Sequence, residues 1–407
     1  MSQPSPNAFH HRNYLLFWIG RLLSTMGMQI VSVAVGWQIY DITRDPLALG
    51  FVGLVQFLPS AVLVLVTGAV ADLLPRRLIM AACMVVVAAA AAALAWMAGS
   101  ASAALPLIYL AILTIGVGRA FYSPASSALV PSLVPPEALA SAVTWVTSAW
   151  QAATIVGPVI GGFLYDVAAD LPYIVALALF VGSGVLIYLV DAVQKGGPVR
   201  EAGLGNVIAG FRYIWGEKIV LGAISLDLFA VLLGGATALL PAIARDVLQT
   251  GPLGLGFLRA APAVGAILVA AWVSQFPIRD HAGRLMFACV AGFGAATVVF
   301  GVSQWLWVSV AAAAVMGATD MISVVVRETL IQLWTPEAVR GRVTAVNSVF
   351  VGASNEIGEF RAGTVAWLIG TVPAIVIGGI GTVIVALLWS RWFPALFNAR
   401  RLDAPVR

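Results

Sequence analysis

Charge is the property that this sequence most lacks. Only 10% of its 407 residues are charged, whereas 61% are hydrophobic, and the mean hydropathy is +0.99. A soluble domain with so few charges would leave much apolar surface in water, but a lipid bilayer accepts that surface. The composition therefore excludes an ordinary soluble protein and predicts a membrane protein. The formal net charge of +4 is small, and we expect no nucleic-acid partner.

Residues that carry catalysis or hold metal ions are scarce as well. The two cysteines, Cys83 and Cys289, each lie alone in an apolar run, a spacing that supports neither a disulfide nor a metal site. The three histidines lie in predicted loops. The sequence shows no phosphate-binding loop, no nucleophile elbow and no cluster of metal ligands. We therefore expect no enzyme activity, cofactor or metal, and an ion gradient as the source of energy.

Long apolar runs make up most of the chain. A helix needs about 20 such residues to cross the hydrocarbon core, and helices are favoured because they satisfy their own backbone hydrogen bonds in lipid. The N-terminus lacks the pattern of a signal peptide, so we expect the first span to act as its own insertion signal. The sequence predicts twelve spans, at 14–40, 46–71, 77–98, 105–128, 141–166, 171–192, 218–243, 253–275, 284–303, 305–332, 343–370 and 372–394.

Lysine and arginine are distributed unevenly between the predicted loops. With the N-terminus inside, the inner segments hold fifteen of them and the outer loops only Arg44 and Arg245. Basic loops stay in the cytoplasm, so both termini are predicted to be cytoplasmic, in a bacterial inner membrane. The longest connection between predicted spans lies at 193–217. It divides the chain into an N-terminal six-helix half (1–192), this cytoplasmic linker (193–217), and a C-terminal six-helix half with a short basic tail (218–407).

The linker contains a candidate helix for the membrane surface. A helix there would place five apolar residues on one side, with Arg212 and Lys218 nearby, a pattern typical of helices on the inner leaflet. Membrane lipids would then be partners of the protein. The alternative is that the segment only extends the following span. The five apolar residues are Val207, Ile208, Phe211, Ile214 and Trp215.

Two segments 200 residues apart resemble each other, which indicates an internal duplication. They share nine identities in twenty-one positions without a gap, including the turn Pro-Glu-Ala. Because six spans precede the linker, both halves enter the membrane in the same direction, as parallel repeats do. Leu133, Pro136, Glu137, Ala138, Val143, Thr144, Val146, Ser148 and Ala153 recur as Leu333, Pro336, Glu337, Ala338, Val343, Thr344, Val346, Ser348 and Ala353.

Charges inside the spans follow a period of three. Spans 3, 6, 9 and 12 have none in their interiors, whereas spans 1, 4, 7 and 10 each carry at least one. Charged groups at membrane depth are costly and face a partner or a wet cavity. The period predicts spans 3, 6, 9 and 12 as an outer layer around a central cavity, with the substrate between the halves. Six residues are candidates to line this substrate cavity. Four of them form one stripe on span 1, and the full set is Arg21, Thr25, Met28, Ser32, Arg119 and Asp227.

Two motifs resemble those of the major facilitator superfamily, and the resemblance covers essentially the whole chain. The loop "GAVADLLPRRL" resembles the family's glycine–aspartate–basic loop, although Leu73 and Pro75 replace its usual arginine and glycine. The resemblance implies that Asp72, Arg76 and Arg77 gate the inner face. The alternative is that the arginines only keep this loop in the cytoplasm.

The second motif, "GPVIGG", resembles the glycine–proline motif of exporters in the same family. Its residues Gly157, Pro158, Gly161 and Gly162 would then belong to the gating machinery, with Ala153 in place of the usual first glycine. The alternative is a packing motif, because small residues four apart let helices approach closely.

Arg119 matches an arginine that this family uses in its central cavity. The alternative is that it hydrogen-bonds a broken helix near Pro124. Together with "GRLLS" and "TPEAVRGRV", it resembles the branch that contains enterobactin exporters and macrolide efflux proteins.

The resemblance implies an all-α membrane protein with twelve transmembrane helices in two parallel six-helix repeats, the major facilitator fold. We expect a monomeric secondary transporter that exports a small amphipathic molecule, siderophore-like or drug-like, by alternating access in exchange for protons. An importer or a lipid or lysolipid flippase of the same fold is the alternative. Membrane enzymes, receptors and subunits of ATP-driven complexes are further classes that a flux measurement would separate.

Proton coupling is predicted at Asp320, Glu356 and Glu359. Counted at about 1.5 Å per residue, Asp320 and Glu356 lie about 21 to 23 Å from the outer ends of their helices. Glu356 and Glu359 are three residues apart and share a helix face. Two neighbouring carboxylates in an apolar cavity cannot both be ionised easily. The alternative is a structural pair between one of these glutamates and Arg259 or Arg21.

Overall fold

The computed structural model describes residues 7–100, 104–191, 204–276, 278 and 280–399. Helices account for nearly all of this part of the chain, and no described residue lies in a strand. The first eight helices are α1 (Arg12–Thr43), α2 (Pro46–Leu73), α3 (Arg76–Gly99), α4 (Leu105–Leu133), α5 (Leu139–Val167), α6 (Leu171–Tyr188), α7 (Leu204–Gly216) and α8 (Lys218–Gly234). The others are α9 (Leu240–Ala242), α10 (Pro252–Gln275), α11 (Ala282–Val302), α12 (Leu306–Trp334), α13 (Glu337–Ile369), α14 (Thr371–Trp392) and α15 (Pro394–Phe397).

Ten helical segments in the described residues are long and apolar enough to cross a membrane. Two further long helices, α5 with 29 residues and α13 with 33, are not among them. α13 carries six charged residues, and α5 is interrupted by threonine, serine and glutamine. The chain is thus a multi-pass helical membrane protein, and the count of twelve spans stays a prediction.

The chain forms two compact units. Unit 1 comprises 1–42, 54–201 and 251–260, and unit 2 comprises 43–53, 202–250 and 261–407. Two short segments therefore belong with the opposite half of the sequence: the start of α2 lies in unit 2, and the start of α10 lies in unit 1.

Unit 1 is built around α3, which packs against α4 and α6. Glycines allow these close approaches: a Cβ built on Gly118 of α4 would lie 2.5 Å from Val87, and one on Gly184 of α6 would lie 3.2 Å from Met84. α1 packs on α6, where the fully buried Tyr173 donates a hydrogen bond to Gln38 at 2.6 Å. A buried hydroxyl needs such a partner.

Unit 2 repeats this arrangement around α11, which packs against α12 and α14. Gly294 of α11 and Gly379 of α14 face each other so closely that a Cβ on either would lie 2.6 Å from the carbonyl oxygen of the other. α8 packs against α13 and α14 and shares a buried apolar cluster with α11, α12 and α14 that includes Ala223, Met286, Val326 and Trp389.

The predicted span 218–243 corresponds to the candidate span Lys218–Val247, but it is not one unbroken α-helix. α8 ends at Gly234, and the chain continues through a 3-10 turn (Thr237–Leu239), α9 and a π-helical turn (Ile243–Val247). A helix end leaves carbonyl groups without intrahelical partners. Arg361 of α13 satisfies one of them by donating to the Leu233 carbonyl at 2.5 Å.

α7 is a helix of its own, because Glu217 has extended backbone angles and separates it from α8. The linker segment is therefore not a simple extension of the following span. Ile214 is buried against α12 and α13, whereas Phe211 and Trp215 are exposed and stack at 5.7 Å. Phe211 also lies 6.2 Å from Phe350 of α13, so the predicted apolar side of this helix faces α13 at least in part, and its contact with the membrane surface stays a prediction. The side chains of Val207 and Ile208 lie outside the described part of the structure.

Candidate functional site

A line of polar contacts joins α1 to α4 and α5 in unit 1. The Arg21 guanidinium donates to the Ser126 hydroxyl, and the hydroxyls of Ser24 and Tyr122 lie 3.1 Å apart. Two turns after Arg21, Gln29 donates to Thr154 of α5 at 3.2 Å. We call this line the polar seam. It includes the predicted Arg21 and adds Ser24, Gln29, Tyr122, Ser126 and Thr154, which the charge map missed because they are uncharged.

The other predicted residues of α1 have different environments. Thr25 donates to the Arg21 carbonyl of its own helix at 2.8 Å, and Met28 is partly buried. Ser32 accepts a hydrogen bond of 2.6 Å from Arg259, in the segment of α10 that belongs to unit 1. The predicted stripe is therefore divided between the seam and this contact with α10.

Arg119 lies on α4 and is exposed within the structure. It precedes Tyr122 by three residues and Ser126 by seven, so it shares the face of α4 that carries the polar seam. α4 runs without interruption through Pro124 and Pro131, and the role of Arg119 stays a prediction.

A buried ion pair joins α8 and α12 in unit 2. The Arg327 guanidinium contacts the Asp227 carboxylate, and their side chains are only 4% and 10% exposed. Asp227 and Asp320 line one small pocket, whose other walls are Ser323 and apolar side chains of α8 and α11. Asp227 was predicted in the substrate cavity and Asp320 as a coupling residue. The structure brings both to one place, with an arginine that was assigned no role.

The two glutamates of α13 converge on the start of α2. A Cβ built on Gly53 would lie 2.8 Å from Oε2 of Glu359 and 3.0 Å from Oε2 of Glu356. Both oxygens are thus next to the same point, and the two carboxylates are neighbours. Their side chains are partly buried. Gly53 is a functional candidate that the sequence analysis missed.

The same segment of α2 approaches α13 through glycines, and α10 approaches α5 in the same way. Within unit 2, a Cβ on Gly363 would lie 2.8 Å from the Pro46 carbonyl oxygen. Within unit 1, a Cβ on Gly256 would lie 2.6 Å from the carbonyl oxygen of Pro158. A second internal repeat, "PLALGF" at 46–51 and "PLGLGF" at 252–257, was the signal that would have revealed these contacts.

The glycine–proline motif of α5 packs closely on two helices of unit 1. Gly157 lies against Gln29 and Met26 of α1, Gly161 against the backbone of Ile30, and Gly162 against the backbone of Pro252 and Leu253. Pro158 is buried. This geometry shows a close-packing role for the motif, and its effect on gating stays a prediction.

The basic loop between α2 and α3 ties three helices together. Arg76 donates to the Ala128 carbonyl of α4 at 2.7 Å, and Arg77 donates to the Val190 carbonyl after α6 at 2.8 Å. Arg77 also lies 3.6 Å from the Asp191 carboxylate. The side chain of Asp72 lies outside the described part of the structure. The arginines thus have structural partners, beyond any effect on membrane topology.

The described residues form a helical membrane protein that carries charged groups inside its helices, and solved structures share this fold. A bacterial homologue of the human lysosomal transporter Spinster superposes with a TM-score of 0.74 at 14% identity, over 97% of this chain and 99% of its own. A D-xylose–proton symporter superposes with a TM-score of 0.70 at 14% identity, over 95% and 98%. At these identities, the likeness concerns the fold alone.

The sequence itself defines the family. The family model described as "Transmembrane secretion effector" matches residues 4–403. The chain therefore belongs to this family, within the major facilitator superfamily. It is similar to the enterobactin exporter EntS of Escherichia coli O1:K1, with 25% identity over 389 residues, or 93% of this chain and 91% of that protein.

Proposed function

We propose that this protein exports a small amphipathic molecule across the bacterial inner membrane in exchange for protons. The observation that carries this proposal is the convergence of Glu356 and Glu359 on Gly53. Two neighbouring carboxylates repel each other when both are ionised, which favours a proton on one of them. A site that binds a proton on one side of the membrane and releases it on the other can couple transport to the proton gradient.

The substrate site is proposed along the polar seam of unit 1. The seam presents hydroxyl and amide groups, with Arg21 and Arg119 as cations, on helices that are otherwise apolar. Such a mixture suits a ligand that has aromatic or aliphatic surface and several oxygen atoms. Enterobactin is the substrate in the name of the relative, and we extend a siderophore-like or drug-like substrate to this chain as a proposal.

The transmembrane arrangement is proposed to comprise twelve helices in two parallel repeats, with both termini in the cytoplasm. α5 and α13 would span the membrane despite their polar residues, because each lies against polar partners of its own unit, such as Gln29 for α5 and Glu328 for the α13 residue Asn347. The equivalent packing of α3 and α11 supports the repeat. The Asp72–Arg76–Arg77 loop and the glycine–proline motif would then move during alternating access.

Neutralisation of single carboxylates tests the proposal. Asp320→Asn, Glu356→Gln and Glu359→Gln variants should each be measured in liposomes, for uphill transport driven by a pH gradient and for counterflow without one. A coupling residue loses uphill transport and keeps counterflow, since counterflow needs no net proton movement. If all three variants keep full proton-driven transport with unchanged pH dependence, the coupling assignment is wrong.

The direction of transport separates export from the alternatives. In liposomes with the cytoplasmic face outward, an exporter that exchanges substrate for protons accumulates substrate when the lumen is acidic. An importer in symport with protons loses substrate from the lumen under the same gradient. A flippase would move a labelled lipid between leaflets in the same vesicles, a signal that an exporter of soluble molecules does not produce.

A further inference from the structure

Unit 2 contains a cluster of three charged groups whose charges do not balance. Asp227 and Arg327 form an ion pair in which both side chains are at least nine-tenths buried. Asp320 is partly buried and lines the same pocket as Asp227. With all three groups ionised, the cluster carries one more negative charge than positive.

Among the described residues that line the pocket, none adds a further charge to those of Asp227 and Asp320. α11 contributes Val290 and Phe293 to the pocket, α8 adds Ala230 and Val231, and α12 itself adds the Ser323 hydroxyl. The part of α10 in unit 2, 261–275, contains no charged residue or histidine. On α13, Glu356 and Glu359 lie next to Gly53, and the cation of Arg361 donates to the Leu233 carbonyl at the end of α8. On α12, Glu328 accepts a hydrogen bond from Asn347 at 2.8 Å.

An uncompensated buried charge is costly, and a carboxylate removes that cost by taking a proton. A buried ion pair, in contrast, stays charged because its partners compensate each other. We propose that the Asp227–Arg327–Asp320 cluster is a site for a single proton, which binds to the Asp320 carboxylate, with the Asp227–Arg327 pair as its fixed neutral neighbour. This proton site would contribute to the proposed proton-coupled export, and its biological role rests on that proposed function.

If Asp320 binds this proton, its protonation should depend on the net charge of Asp227 and Arg327. A purely structural role of the cluster predicts no such dependence. In an Asp227→Asn variant, Arg327 loses its carboxylate and becomes the counter-charge of Asp320. The cluster is then neutral with Asp320 ionised, so Asp320 should lose its proton although it is untouched. Removing Arg327 as well, in Asp227→Asn/Arg327→Gln, leaves Asp320 alone and should restore the proton.

Infrared spectroscopy of the full-length protein in lipid vesicles can detect this proton without any substrate. The carbonyl stretch of a protonated carboxyl is followed from pH 5 to 9, and the part that persists above about pH 5.5 excludes exposed carboxyls, which have ionised by then. Asp320→Asn identifies the contribution of this site. Asp246→Asn is the matched control, since Asp246 is 48% exposed and lies 3.6 Å from Arg44.

The expected result is that the signal lost in Asp320→Asn is also lost in Asp227→Asn, returns in the double variant and is unchanged in Asp246→Asn. Arg327→Gln should increase the signal, because two carboxylates then lack a cation. Retention of the signal in Asp320→Asn or in Asp227→Asn would overturn the proposal. If Asp227→Asn fails to fold, the double variant Asp227→Asn/Arg327→Gln is the test. The proposal predicts the wild-type signal in the double variant, and loss of that signal would overturn the proposal.

This outcome is independent of transport. If the signals follow the charge count but no flux depends on a pH gradient, the proton site exists and the antiport function is wrong. If flux depends on the gradient and the signals ignore the charge count, the protein is proton-driven through other groups, and this proposal alone fails.

Discussion

Glu359 of α13 and Gly53 of α2 lie so close that a methyl group on Gly53 would meet the carboxylate: the Cβ would be 2.8 Å from Oε2. The end of a glutamate side chain can move away at little cost in stability. Its position beside Glu356, however, depends on the space that glycine leaves. Gly53 is thus a residue through which the arrangement of both carboxylates can be changed without neutralising either.

Gly53→Ala should therefore alter proton coupling more than folding. We expect an unchanged melting temperature within a few degrees, and a shifted pH dependence of proton-driven transport, because the carboxylates must separate. Gly68→Ala on the same helix is the matched control, since a Cβ there has no neighbour within 4 Å. Identical pH profiles for the two variants would show that the glutamates do not depend on Gly53.

Gly379→Ala should destabilise unit 2, because its Cβ would lie 2.6 Å from the backbone carbonyl of Gly294. Backbone cannot rotate away as a side chain can, so we expect a loss of roughly 1–3 kcal/mol, as for other overpacked cores. Thermal unfolding in detergent measures the change. Gly99→Ala, at a site with no neighbour within 4 Å, serves as control and should be neutral. Equal stability of both variants would contradict the close packing of α11 and α14.

The basic loop is predicted to adjust the inner gate rather than bind substrate. Asp72→Asn should slow transport and leave substrate affinity within about tenfold, or roughly 1.4 kcal/mol. Binding to purified protein and flux in liposomes measure the two quantities separately. A loss of affinity by several orders of magnitude would place this loop in the substrate site.

The membrane topology follows from the distribution of basic residues and is tested by labelling. In a background without Cys83 and Cys289, which are both buried, Ala169→Cys should react with an impermeant thiol reagent added to spheroplasts. Gly196→Cys, in the basic linker, should react only after the membrane is opened. Labelling of the second variant in intact spheroplasts would reverse the predicted orientation.

The sequence predicted the fold well because membrane helices leave a strong signal in composition and length. It missed the break at Gly235, where α8 ends within an apolar run, because hydropathy does not detect a helix end; there Arg361 satisfies the Leu233 carbonyl. It located Asp320 and Asp227 as important but assigned them different roles. Pairing across helices, such as Asp227 with Arg327, depends on helix rotation, which charge counting along the chain does not determine.

The measurement that tests the central claim most directly is flux through the purified wild-type protein in liposomes with a pH gradient as the only source of energy. A labelled siderophore serves as the substrate. We predict accumulation against its concentration gradient in vesicles with an acidic lumen, abolished when the gradient is collapsed with a protonophore. For a siderophore that the purified protein binds, equal uptake with and without the pH gradient would contradict proton-driven export.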